Sequence, residues 1–242
     1  MIVAAAICPS PPLLAAPLTG QADILPDLRA ACATAVTRLM AAAPDMVAVA
    51  GPAAATGRWD PAGQFSLAAY APALRAAGPV AGRGGEPAAA RPDLPLALGI
   101  GALLLDEAGY QGPRALYGIA GDEPAAGCLA LGRQVAASAP RVALLAVGDG
   151  TARRSQSAPG YLDERAAPFD AAVERAVRDG DLPALAALDP ALAADLLATG
   201  RPAWQALAGA LPAGGLKPEV LYSAAPFGVA YLVATLIPGS AA

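Results

Sequence analysis

Residues 141–155 read RVALLAVGDGTARRS, and this stretch decides the fold. An apolar run of strand length, Val142 to Val147, is cut off by Gly148-Asp149-Gly150, and the polar, doubly basic segment Thr151-Ala152-Arg153-Arg154-Ser155 follows at once. An unbroken apolar run bounded by glycine fits a strand buried on both faces. In open α/β sheets the loops at the carboxyl ends of such strands line the ligand crevice. The stretch therefore reads as a buried strand that delivers a carboxylate and two guanidinium groups to a ligand. The plainer alternative is a glycine-supported turn with solvated arginines.

Working outward, the same punctuation recurs upstream. Ile2 to Ile7 is an apolar run ended by Cys8-Pro9-Ser10-Pro11-Pro12, a first strand followed by a rigid extended loop. Ile24 to Ala43 carries Leu28, Cys32, Val36 and Leu39 or Met40 at helical spacing, with Asp23 placed to cap the helix and Pro44 to stop it. Met46 to Ala50 is a second strand that empties into Gly51-Pro52, so strand, helix and strand form a βαβ unit. From Arg58 to Pro92 proline and glycine are frequent; Phe65 to Tyr70 reads as an edge strand and Gly82 to Pro92 as a mobile surface loop. Leu94 to Ala108 is a second apolar helix or buried segment, Ala115 to Ala120 a third strand, and Pro124 to Ser138 a helix feeding the strand at Arg141.

Downstream, a charged helix is expected from Leu162 to Arg178, then shorter helices over Leu182–Leu188, Pro190–Ala198 and Pro202–Leu211. Two closing strands, Glu219 to Ser223 and Val229 to Ile237, complete the pattern. The alternation predicts an α/β fold with a mainly parallel central sheet flanked by helices on both faces, in one domain spanning 1–242.

Composition narrows the function classes. Hydrophobic residues make up 56% and charged residues 15% of the 242, so a packed core is expected over most of the chain. The net charge is −4, and the arginines are scattered apart from the Arg153-Arg154 pair, which disfavours a nucleic-acid partner. Three cysteines without CxxC spacing, Cys8, Cys32 and Cys128, read as reduced thiols in a cytoplasmic protein. The uncharged stretches Met1–Ala22 and Val220–Ala242 are broken by prolines and fit neither a signal peptide nor a membrane helix.

Four segments, in order, resemble the LigB-like superfamily, the class III extradiol ring-cleavage dioxygenases with their Memo relatives. Cys8-Pro9-Ser10-Pro11-Pro12-Leu13-Leu14 is similar to the family's HxP-type loop, and Val49-Ala50-Gly51-Pro52-Ala53-Ala54 to the Gly-Pro-Ser-His of Memo relatives. Gly132 to Arg154 resembles the helix, strand and Ser-Ser-Asp or Ser-Gly-Gly loop, and Thr199-Gly200-Arg201-Pro202 the Cys-Gly-Arg before a helix. The resemblance implies a LigB/Memo-like fold. It also implies ferrous iron held by two histidines and a glutamate, with a further histidine as acid/base, yet this chain contains no histidine. By correspondence Ser10 and Ala54 stand where the two histidine ligands belong, and Thr199 lies near the third ligand position. Alanine has no donor and neutral hydroxyls are weak iron ligands, so no metal and no cofactor is expected.

The remaining polar residues of the inferred crevice each have two readings. Asp149 is a base or ligand-positioning carboxylate, or the head of an Asx-type turn. Arg153 and Arg154 clamp a carboxylate or phosphate, or form surface salt bridges to residues such as Asp163 and Glu164. Ser10, with no histidine to activate it, reads as a loop hydroxyl, and Cys8 as a small buried hydrophobe. Tyr161 and Trp59 stack on a ligand or fill gaps under loops. A pocket bounded by Ser10, Ala54, Asp149, Arg153 and Thr199 is expected, with Arg154 and Tyr161 as further ligand contacts and any inward arginine paired with Asp149 or an anion.

Two functions follow. One is a LigB-like protein that has lost iron and binds a small ligand, with an anion as one reading, or a protein partner. The other is an enzyme, either an oxygenase with unorthodox ligands such as Asp149 and Cys8 or a metal-free hydrolase or lyase using Asp149 and Arg153. The alanine-rich helices and the resemblance add the expectation of a homodimer.

Overall fold

The strands are β1 (Ile2–Cys8), β2 (Met46–Ala53), β3 (Gly57–Trp59), β4 (Arg114–Ala120), β5 (Val142–Val147), β6 (Leu216–Ala224) and β7 (Tyr231–Pro238). They form one sheet of order β3-β4-β2-β5-β1-β7-β6, so β5 is its middle strand. The structure, a computed structural model, describes residues 1–15, 24–67, 70, 93–212, 214 and 216–239. The centre β4-β2-β5-β1 is parallel, while β3, β7 and β6 add antiparallel pairings at the two edges. The first unit differs from the simplest expectation: β1 and β2 are not neighbours, because β5 is inserted between them and pairs with both.

The helices are α1 (Pro26–Ala41), α2 (Leu96–Glu107), α3 (Ala125–Ala136), α4 (Ala166–Asp179), α5 (Leu182–Ala186), α6 (Pro190–Asp195) and α7 (Arg201–Ala210). Side chains of β5 alternate between two cores, as the period of two in a strand requires. Val142, Leu144 and Ala146 pack with α3 to α7 on one face, and Ala143, Leu145 and Val147 with α1 and α2 on the other. Each face of β5 is fully buried, which is why its sequence shows no polar alternation. Burying its two leucines contributes on the order of 1.5–3 kcal/mol each.

One helix contact depends on missing side chains. A Cβ on Gly132 of α3 would lie 1.9 Å from the Ala206 carbonyl oxygen of α7, and a Cβ on Gly209 of α7 would lie 2.3 Å from the Leu129 carbonyl oxygen of α3. The two backbones therefore touch, locking α7 onto α3 and fixing where the start of α7 meets the sheet.

Several boundaries depart from the sequence reading. Strand β3 was not expected; its three residues are too few for a periodic signal, and it is held by pairing with β4. Residues 65–67 form no strand, and nearby only Gln64 makes an isolated bridge, to Asp93. The rest of the expected edge strand is outside the described residues apart from Tyr70. Asp23 and the segment Gly82 to Pro92 also lie outside them. Helix α4 begins at Ala166 rather than Leu162, because Asp163 accepts from the Arg165 backbone N–H and holds the preceding residues as a turn. No helix among the described residues is long and apolar enough to cross a membrane.

Candidate functional site

The segment after β5 is tied to every element around it. The Gly148 N–H donates to the Cys8 carbonyl at the end of β1 (3.0 Å), and the Gly200 N–H donates to the Asp149 carbonyl (2.8 Å). Gly148 permits this crossing: a Cβ there would stand 2.6 Å from Gly200 Cα. Further along, the Gly150 and Ala230 amides donate to Ala230 and Thr151 carbonyls respectively, both at 2.8 Å. The chain therefore fixes Asp149 by backbone on three sides before its side chain makes any contact.

The carboxylate of Asp149 faces the loop after β1. Its Oδ1 accepts from the Ser10 N–H at 2.6 Å and from Ser10 Oγ at 3.5 Å. On the other side the Asp149 N–H donates to Thr199 Oγ1 at 3.2 Å. Burial pushes the Asp149 carboxyl up to about 6, and the hydrogen bonds from Ser10 oppose that rise without cancelling it. The residue is nevertheless only half-buried, so the group sits in the floor of a crevice that still opens outward. Tyr231, at the start of β7, has its phenol pushed up by burial and then by the nearby Asp149 charge, which adds a residue to the neighbourhood that sequence reasoning did not single out.

Ser10, Asp149 and Thr199 thus come together. The other expected site residues do not join them. Arg153 turns away and donates from Nη1 to the Gly160 carbonyl at 2.5 Å, while its buried Nε has no partner. Arg154 pairs with Asp170 of α4 at 3.0 Å, and the same carboxylate accepts from the Thr151 N–H and hydroxyl. The expectation that an inward arginine pairs with Asp149 is therefore corrected: Asp170 is the acid that pairs with Arg154, and neither guanidinium bonds Asp163 or Glu164, although the Asp163 N–H donates to the Arg153 carbonyl at 3.0 Å. Asp163 is instead paired with Arg165.

Tyr161 is 74% exposed, on a residue with φ of +59°, and points to solvent rather than into the crevice. Ala54 is exposed in the bend after β2 and brings no side chain to Asp149. Trp59 lies over Gly118 as part of the core against α2. Cys8 is fully buried with its thiol pushed up, first by the Cys32 thiol and then by burial, which leaves it an unreactive core side chain.

Among the described residues two cavities flank the 148–154 segment, and neither has Ser10, Ala54, Asp149 or Arg153 in its wall. One, of about 210 Å³, lies between α4 and the β6–β7 hairpin, with Arg154, Asp170, Glu174, Ser223 and Trp204 in its wall. The other, of about 230 Å³, opens at the carboxyl ends of β2 and β4 and at the start of α7. Pro52, Gly121, Leu197, Thr199, Arg201 and Pro202 are among its lining residues. Thr199 joins this second cavity to Asp149, because its hydroxyl oxygen accepts the Asp149 N–H and its own O–H remains to donate.

The residues here do not fit the iron centre that the resemblance implies. The three corresponding positions present a buried hydroxyl, a methyl group and an exposed hydroxyl, and the one carboxylate present already accepts from Ser10. Among the described residues no group of three or more His, Cys, Asp or Glu side chains is placed to hold a metal.

No family model matches the sequence, and no curated protein matches it. Among solved structures, the crystal structure of the uncharacterized protein JW3007 from Escherichia coli K12 is similar, with a TM-score of 0.55 at 15% identity. The likeness covers 97% of this chain and 99% of that one, and it shows a shared fold.

Proposed function

We propose that this chain is a divergent LigB/Memo-like protein that works without mononuclear iron and binds a small ligand in the crevice formed by Asp149, Ser10 and Thr199 and the adjoining cavity. The observation that carries the reading is the bond from the Asp149 N–H to Thr199 Oγ1, which ties the loop bearing the carboxylate to the lining of that cavity. That loop carries a half-buried carboxyl that titrates near 6, and Thr199, near the third metal-ligand position of the resemblance, brings a hydroxyl to the cavity wall. Polar groups converging on an apolar hollow at strand ends support a ligand site.

An enzymatic role is favoured by one feature, the elevated carboxyl of Asp149, which suits a general base close to neutral pH. Such chemistry would proceed without Arg153, whose guanidinium is committed to Gly160. Homodimerisation belongs to the same proposal and rests on the resemblance.

The test is metal analysis of protein expressed in iron-supplemented medium and purified without chelators, together with oxygen uptake on catechol and protocatechuate. Iron well below one equivalent and no oxygen consumption are expected. Near-equimolar iron with oxygen uptake on either compound overturns the iron-free reading.

A further inference from the structure

Arg201 is 1% exposed, yet it faces no acid. Its Nη1 donates to the Glu123 carbonyl (2.7 Å) and to Gln205 Oε1 (2.8 Å) and lies 3.9 Å from Cys128 Sγ, and Nη2 donates to the Gly121 carbonyl (2.6 Å). Gln205 is itself oriented, because its Nε2 donates to the Ala186 and Leu188 carbonyls at 3.0 and 2.9 Å and so turns its oxygen to the arginine. All four acceptors are neutral, the Cys128 thiol among them because burial pushes it up to about 11. Glu123 directs its carboxylate to the Thr56 hydroxyl and Asp149 directs its own to Ser10, so no ion pair reaches Arg201 among the described residues. A guanidinium has five N–H donors. The bonds to oxygen use three, and the Nε–H and one Nη2–H make no bond among the described residues; guanidinium N–H groups such as these are the donors that carboxylate oxygens accept from.

A buried charge without a counter-charge is costly, and the cost is relieved when an anion enters its neighbourhood. The start of α7 adds to the positive field: Gly200 caps it without a side-chain bond and no acidic residue lies in its first turn. The same Arg201 lines the cavity of about 230 Å³, whose other walls include the apolar Pro52, Leu197, Ala198 and Pro202, with Thr199 the one neutral polar side chain. That volume is below the ~300–1,000 Å³ of drug-sized sites, which limits the ligand body to about one ring or a short chain. A doubly charged phosphate would set two charges against one guanidinium that is already half engaged.

Resting on the ligand-binding reading above, we propose that this cavity takes a small monocarboxylate with an apolar body, its carboxylate turned to Arg201 and its body against Pro52, Leu197 and Pro202.

Three probes of one shape decide it: benzoate, neutral benzamide and cationic benzylamine, titrated into the full chain and followed by amide chemical-shift changes and calorimetry. Benzoate is expected to bind at least tenfold more tightly than benzamide, benzylamine not to bind, and the shifts to centre on Gly121, Thr199 and Arg201. Because Arg201→Gln risks unfolding a buried network, the companion variant is Ala194→Trp, which fills the cavity from its exposed rim. It is expected to abolish benzoate binding while leaving the melting temperature within a few degrees. Benzamide binding as tightly as benzoate overturns the carboxylate assignment but leaves a ligand site in the crevice. Benzoate binding that survives Ala194→Trp moves the carboxylate elsewhere and overturns the assignment too. Failure of all three probes removes both the assignment and the ligand-binding reading.

Discussion

Asp149 releases its proton near pH 6, later than the ~3.9 of a free aspartate, because its charged form loses water that the two Ser10 contacts only partly replace. Between about pH 4 and 6 the folded chain therefore holds more protons at this site than the unfolded chain, so stability falls as pH rises through that window and is flat above it. The ceiling is about 3 kcal/mol, reduced because the carboxylate is part-open to solvent. Asp149→Asn, which keeps an acceptor for the Ser10 N–H, should be more stable than the parent at pH 7.5 and equal to it at pH 4; urea melts with the same difference at both pH values would refute this. Asp149→Ala should instead lose about 1–3 kcal/mol relative to Asp149→Asn, since it strands the buried Ser10 amide. The strand-end position of Asp149 was legible in the sequence, since glycine on both sides of an acid after an apolar run marks a loop at a sheet end. The destinations of Arg153 and Arg154 were not. They depend on the turn at residues 155–161 and on Asp170, nineteen residues beyond Thr151, which no local pattern connects to it. Arg201 was quoted only as part of a motif, because nothing local shows that an arginine opening a helix has no acid to meet.

The elements themselves were more legible. Runs such as Val142–Val147 and Ala115–Ala120 are apolar throughout because both faces are covered, and α1 and α4 show a helical stripe because only one face is. The approach of α3 to α7 was hidden, since Gly132 and Gly209 look like helix-weakening residues until the two backbones are seen in contact. Gly132→Ala should therefore destabilise, although alanine favours a helix by about 1 kcal/mol over glycine. The 1.9 Å clash is with a main-chain oxygen that cannot swing aside, so a net loss of on the order of 2 kcal/mol is expected. A lower urea midpoint at unchanged m-value would show it, and a gain in stability would mean the helices part freely. The start of α7 carries both Thr199 and Arg201 to the cavity, so the same variant should also weaken benzoate binding.

At the scale of the molecule, two helical layers enclose one sheet, and the small-residue faces of α3 and α7 are spent on each other. A homodimer must then be built from other surfaces; light scattering is expected to give twice the chain mass, and one chain mass over a broad concentration range would remove the dimer. Sheet order was beyond local reading, because insertion of β5 between β1 and β2 is decided by packing across the whole chain. That order also has a consequence for biosynthesis. Strand β1 leaves the ribosome before the other six strands of this sheet, yet finds its neighbours in β5 and β7, as in the pairs Ile7 with Ala146 and Ile7 with Ala234. Until residues 231–238 emerge, one of its edges has no sheet partner, so the nascent chain must wait with an unpaired apolar strand, the kind of long-range closure that folds slowly and invites chaperone capture.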